Sequence, residues 1–94
     1  MHSEPITFKT VAENWMSRGF TLDLAYFREG EVHTEHAHEV GELVTVLHGP
    51  VELTIEDQQY RLEPGDELYI PPHHAHSVKN LNDDFVFIFY AFDG

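Results

Sequence analysis

The spacing of hydrophobic positions changes near residue 20. Before it, Thr10-Val-Ala-Glu13 has the pattern of a capping box, in which a threonine hydroxyl and a glutamate carboxylate satisfy free backbone N–H groups at a helix start. This predicts a short helix through Trp15 and Met16 that stops at Gly19. Beyond it the period is two. Phe20, Leu22, Leu24 and Tyr26 alternate with Thr21, Asp23 and Ala25, as in a half-buried strand. Leu43 to Leu47 and then Val51, Leu53 and Ile55 repeat the signal around a Gly49-Pro50 turn. Tyr60-Arg61-Leu62 precedes a second turn at Pro64-Gly65-Asp66, and Leu68 to Ile70 predicts a short strand halted at Pro71-Pro72.

The last strand signal differs. From Phe85 to Phe92 the chain reads FVFIFYAF, with Phe85, Phe87 and Phe89 on one face and Val86, Ile88, Tyr90 and Phe92 on the other. A strand covered on one side only alternates, so something must bury the second face. Two candidates are the N-terminal helix with Trp15 and a partner subunit. Many short strands divided by Gly/Pro turns, with one short helix, predict an all-β barrel or sandwich.

Composition narrows the function classes. At 94 residues the chain makes one domain whose small core is marginal alone, which favours pairing into a homodimer. Five Lys+Arg against 17 Asp+Glu give a net charge of −12, which argues against nucleic acid and membrane surfaces as partners. With no cysteine, disulfides, zinc fingers and thiol catalysis are excluded. No apolar run approaches the ~20 residues of a membrane span, and MHSEPITF has no signal-peptide character, so a cytoplasmic location is the expectation.

Eight histidines stand out against this background. His36 and His38 are two residues apart, so on a strand they share a face about 6.5–7 Å apart. Glu42 has the same parity, and a bend at Val40-Gly41 could return it toward them. Downstream, His73-His74-Ala75-His76 can deliver another imidazole. Three nitrogens and one oxygen suit one divalent transition metal ion per chain (Fe, Mn, Ni, Zn, Co or Cu) and disfavour calcium. Incomplete protein coordination leaves positions for a small-molecule ligand or substrate.

The wider spacing carries more. Gly30, His36, His38, Glu42 and Gly49 stand at every fixed position of the first cupin motif (residues 30–49), and Gly65, Pro71, His76 and Asn80 reproduce the second (residues 65–80). The sequence resembles a small single-domain cupin; the resemblance runs from Gly30 to Asn80, and one domain over residues 1–94 is the expectation. The resemblance implies a double-stranded β-helix, or jelly-roll barrel, with a short N-terminal helix and a metal inside one end. Carried over by position, His36, His38, Glu42 and His76 are the implied metal ligands. One position departs: His73 stands where the second motif normally has a glycine, so it is expected to adopt positive φ or to remodel the loop.

Other residues receive plainer readings. His74 is expected at the rim, His33 and His48 near turns, and His2 in the terminus, none with assigned chemistry. Tyr26, Phe87, Phe89 and Tyr90 read as core more than as pocket lining. Ser3, Ser17 and Ser77 lie in no nucleophile-elbow context. The expected function is a metal-dependent enzyme of oxygenase, isomerase or lyase type acting on a small molecule. The alternative is a non-catalytic binding or sensing module.

Overall fold

A computed structural model describes residues 7–35 and 37–93. Helix α1 (Phe8–Ser17) precedes eight strands: β1 (Asp23–Phe27), β2 (Val32–Glu35), β3 (Gly41–Val46), β4 (Val51–Ile55), β5 (Gln58–Leu62), β6 (Glu67–Ile70), β7 (His76–Asn80) and β8 (Val86–Asp93). They form two four-stranded sheets in the orders β1-β8-β3-β6 and β2-β7-β4-β5. Every strand pairing is antiparallel. The two sheets face one another as the jelly roll that the cupin resemblance implies.

The interior is filled from both sheets. Phe27, Val44, Ile70, Val86 and Ile88 from the first meet Val51, Leu53, Ile55, Leu62 and Val78 from the second. A second cluster lies on the outer face of the first sheet, where Val11 and Trp15 of α1 cover Leu43, Phe89 and Ala91. The two-faced apolar pattern of β8 is thus explained in part within one chain. Its even residues fill the barrel, and Phe89 lies under the helix.

The helix begins earlier than the sequence pattern indicates. Thr7 is the N-cap, and the box is closed by Thr10, not by a Thr10–Glu13 pair. Thr10 N–H donates to Thr7 Oγ1 at 3.2 Å, and Thr7 N–H donates to Thr10 Oγ1 at 3.0 Å. A threonine hydroxyl at the third helical position reaches back as well as a carboxylate does. The C-terminus closes as a Schellman motif: Gly19 N–H donates to the Met16 carbonyl and Phe20 N–H to the Trp15 carbonyl. Trp15 is 1% exposed, and its indole N–H donates to Glu67 at 3.1 Å, pinning the helix to β6.

The parity of β1 is also corrected. Leu24 and Tyr26 are 46% and 51% exposed on the outer face, while Ala25 and Phe27 pair with Ile88 and Val86 and face the barrel. The alternation is real, but the larger residues sit on the side that the helix covers only as far as Phe20 and Leu22.

Asn80, which closes the second motif, is buried and staples three segments. Its amide donates to the carbonyls of Phe27, Arg28 and Asp84, and its oxygen accepts from Asn82 N–H.

Trp15→Ala is expected to lower unfolding free energy by about 3–5 kcal/mol in urea titration, because it removes a large side chain from a covered face. A loss below about 1 kcal/mol would show that α1 is not a fixed part of the core.

Candidate metal centre

Three segments converge at one end of the barrel. Glu42 lies on β3 at the middle of the first sheet, paired with Ile70 on one side and Phe92 on the other. His76 opens β7 in the middle of the second sheet, between Glu35 and Ile55. The two therefore face one another across the sandwich. His38 is not on a strand. It lies in the connection that carries the chain from β2 in one sheet to β3 in the other. The expected bend falls at Glu39 and Val40, and it brings His38 and Glu42 together.

His38 Nε2 is 3.8 Å and His76 Nε2 is 3.1 Å from Glu42 Oε1. The ligand atoms of His38, Glu42 and His76 all lie within 4.8 Å of one another, so the three could hold a metal ion. Glu42 and His76 side chains are 8% and 2% exposed, and His38 is 33% exposed. Glu42 Oε1 is buried and accepts no hydrogen bond among the described residues. A buried carboxylate oxygen left in that state is costly unless a cation or donor meets it. Two nitrogens and one oxygen form a borderline-hard donor set that fits a divalent transition metal. His36, the fourth implied ligand, lies outside the described residues, as does His2.

The supporting contacts come from backbone and rings. His73 N–H donates to the His38 carbonyl at 2.8 Å, tying the β2–β3 connection to the β6–β7 loop. His73 has φ +66°, so the residue that replaces the family's glycine takes the left-handed conformation expected of that position. The turn glycines Gly30 and Gly65 have φ +71° and +93°. His38 also packs edge-on against Phe92 at 5.0 Å between ring centroids. His76 Nδ1 lies 3.2 Å from the His74 carbonyl, a contact that leaves Nε2 toward Glu42. Gly41, immediately before Glu42, lies against the Tyr69 ring, so a Cβ there would require that ring to move.

The cluster closes the polar end of a cavity of about 610 Å³, within the usual range for small-molecule sites. Its walls are mainly apolar, with Phe27, Val44, Ile70, Val78 and Ile88 among them, and among the described residues no Lys or Arg lines it. Of the aromatic residues read as core, Tyr90 lines this cavity, Phe89 lies under α1, and Tyr26 and Phe87 lie on the outer face. His74 is half-buried in the loop before β7, with Nδ1 2.9 Å from the Pro72 carbonyl. His48 is exposed beside Phe85 and Phe87. His33 departs from its reading as a turn residue: it is on β2 and lines the cavity. No local pattern marks this, since the inward turn of His33 follows from its pairing with Val78 of β7.

Compared with known proteins, the chain matches the family described as "Cupin domain" over residues 24–92. It is 40% identical over 53 residues to the HTH-type transcriptional activator RhaS of Mannheimia succiniciproducens, a match covering 56% of this chain and 20% of that protein. Among solved structures, the plu4264 protein from Photorhabdus luminescens superimposes with a TM-score of 0.74 at 24% identity, covering 80% of this chain and 62% of that one. The DMSP lyase DddQ from Ruegeria pomeroyi gives a TM-score of 0.70 at 25% identity, covering 80% of this chain and 38% of that one. The chain spans about a fifth of the length of the activator it matches.

Two outcomes follow from the loop geometry. His73→Gly is expected to leave stability unchanged or raise it by up to about 1 kcal/mol, whereas His73→Val should cost about 1–2 kcal/mol, because a β-branched residue resists positive φ. Equal urea midpoints for the two variants would contradict the strained turn. The Glu31 carboxyl is held below its ordinary range, first by the Arg28 N–H and then by His33. A carboxyl pKa lowered by folding stabilises above the unfolded value and loses that contribution as pH falls. Glu31→Gln should therefore flatten the stability loss below about pH 4.5, and an unchanged acid limb would contradict it.

Proposed function

We propose that this chain, which belongs to the cupin domain family, binds one divalent transition metal ion through His36, His38, Glu42 and His76 and acts as a metal-dependent enzyme on a small molecule. The observation that carries the reading is the convergence of His38, Glu42 and His76 in an apolar-walled cavity. A bound divalent ion would supply Lewis-acid polarisation of a ligand oxygen or of water. The chain's own contribution is to orient. His38 and His76 offer neutral imidazole nitrogens, Glu42 offers the anionic oxygen, and the walls exclude water from the ligand's body. The likeness to a DMSP lyase supports elimination, with isomerisation as a further class and oxygenation as another if the ion is iron.

The second reading is a non-catalytic sensing module. Its support is the 40% identity over 53 residues to a transcriptional activator. The two readings separate by experiment. Metal-loaded protein is assayed on a panel of small molecules for elimination, isomerisation and oxygen consumption. The enzyme reading expects turnover that falls at least about 100-fold in His76→Ala and Glu42→Gln, since metal-site ligands and their supports weigh that heavily. A silent panel with ligand-dependent rises in melting temperature supports the sensor and contradicts the enzyme. Metal at about 100 times its Kd should itself stabilise the fold by about 2.7 kcal/mol, a rise of about 10–20 °C. An unchanged melting temperature on chelator treatment would count against the site.

The chain is further proposed to pair as a homodimer through the outer aromatic patch where Tyr26 stacks on Phe85 at 5.3 Å and Phe87 packs on both. Exposed aromatic rings on a small domain can bury apolar area against the same patch of a second copy. Light scattering at tens of micromolar should give the mass of two chains; a monomer contradicts it.

A further inference from the structure

The cavity contains a titratable group that the metal reading leaves unused. His33 pairs with Val78 across β2 and β7. Directly opposed residues share a face of the sheet. Val78 belongs to the interior cluster, so His33 turns inward, and it lines the same cavity as His38, Glu42 and His76. Its ring packs on buried Phe27 with centroids 4.1 Å apart. Its Nε2 lies 2.5 Å from Glu31 Oε2.

Glu31 is itself fixed. Its Oε1 accepts the Arg28 N–H at 2.7 Å, its N–H donates to the Arg28 carbonyl at 3.0 Å, and its carbonyl accepts the Asn80 N–H at 3.0 Å. The carboxyl is held below its ordinary range, so at neutral pH it is ionised and accepts from Nε2–H. A hydrogen bond at one ring nitrogen sets the tautomer of the other. Nδ1 then keeps its lone pair, and no described residue hydrogen-bonds to it. A base within a cavity, oriented by an anchored carboxylate, is the arrangement that proton transfer requires. With 43% of the side chain exposed, the ring can also exchange its proton with solvent.

We infer that His33 is the proton-handling residue of this cavity, positioned by Glu31, and that the cavity takes a small, mainly apolar molecule bearing one acidic hydroxyl. The inference rests on the reading of the cavity as a ligand site. In the step, the ligand O–H bond breaks and an N–H bond forms at Nδ1. The ligand oxygen keeps the electron pair and the negative charge, and the imidazolium lies against the Glu31 carboxylate. Reprotonation of the ligand returns the same proton. An apolar body follows from the walls and from the absence of Lys or Arg among the lining residues.

The probe is para-nitrophenol, whose absorbance reports its ionisation, added to metal-free protein at a pH where the free phenol is mostly protonated. The parent is expected to bind it and to show the phenolate band. His33→Ala should bind about tenfold more weakly, the worth of one hydrogen bond, and lose the band. His33→Gln, which fills the space and keeps a donor for Glu31, should keep circular dichroism like the parent's and also lose the band. Glu31→Gln should retain binding with a reduced band, as a positioning role requires. No binding to the parent, or a band unchanged in both His33 variants, overturns the inference. Metal content measured on each preparation before the metal is removed tests the metal reading separately, so failure of one is distinguishable from failure of the other.

Discussion

One backbone hydrogen bond, from His73 N–H to the His38 carbonyl at 2.8 Å, ties together the two connections on which the candidate site depends. One carries the chain from the second sheet to the first and presents His38 and Glu42. The other returns it and presents His76. Such a bond contributes only about 1 kcal/mol to stability. Its larger effect is on position: an imidazole in a strand connection is held against a carboxylate and an imidazole fixed by central strands. The bond fixes the backbone of residue 73 at φ +66° although that residue is not glycine. Its backbone N–H is needed where the turn places it, whatever side chain it carries.

The same closure of two sheets sets the apolar pattern. Strands β3 and β8 lie in the interior of their sheet, so both of their faces need cover. The barrel interior covers one face, and α1 covers much of the other through Trp15 and Val11. Where the helix ends, Leu24, Tyr26 and Phe85 remain exposed. Toward the candidate site the interior is left unfilled, and the cavity there is polar where His38, Glu42, His76, His33, Thr34 and Tyr90 line it.

Much of this was legible in the sequence because turns and ligands carry local signatures. Gly30, Gly65, Pro71 and Asn80 mark turns and a staple whose geometry demands those residues, and His38, Glu42 and His76 mark a donor set. The strands followed from period-two alternation. What escaped were features decided by tertiary packing. The buried parity of β1 depends on how far α1 extends over the sheet, which no local pattern encodes. The helix start moved to Thr7 because Thr10 can serve as the reciprocal cap. His33 was invisible as a cavity residue because its role depends on pairing with Val78, 45 residues away in the chain (78 − 33).

The most direct test of the account is elemental analysis of protein purified without chelator, beside a His38→Ala/His76→Ala double variant shown to be folded by circular dichroism. The account expects near one equivalent of a divalent transition metal in the parent and almost none in the variant. Equal metal content in the two, or a folded parent that cannot be loaded with manganese, iron, nickel or zinc, would contradict it.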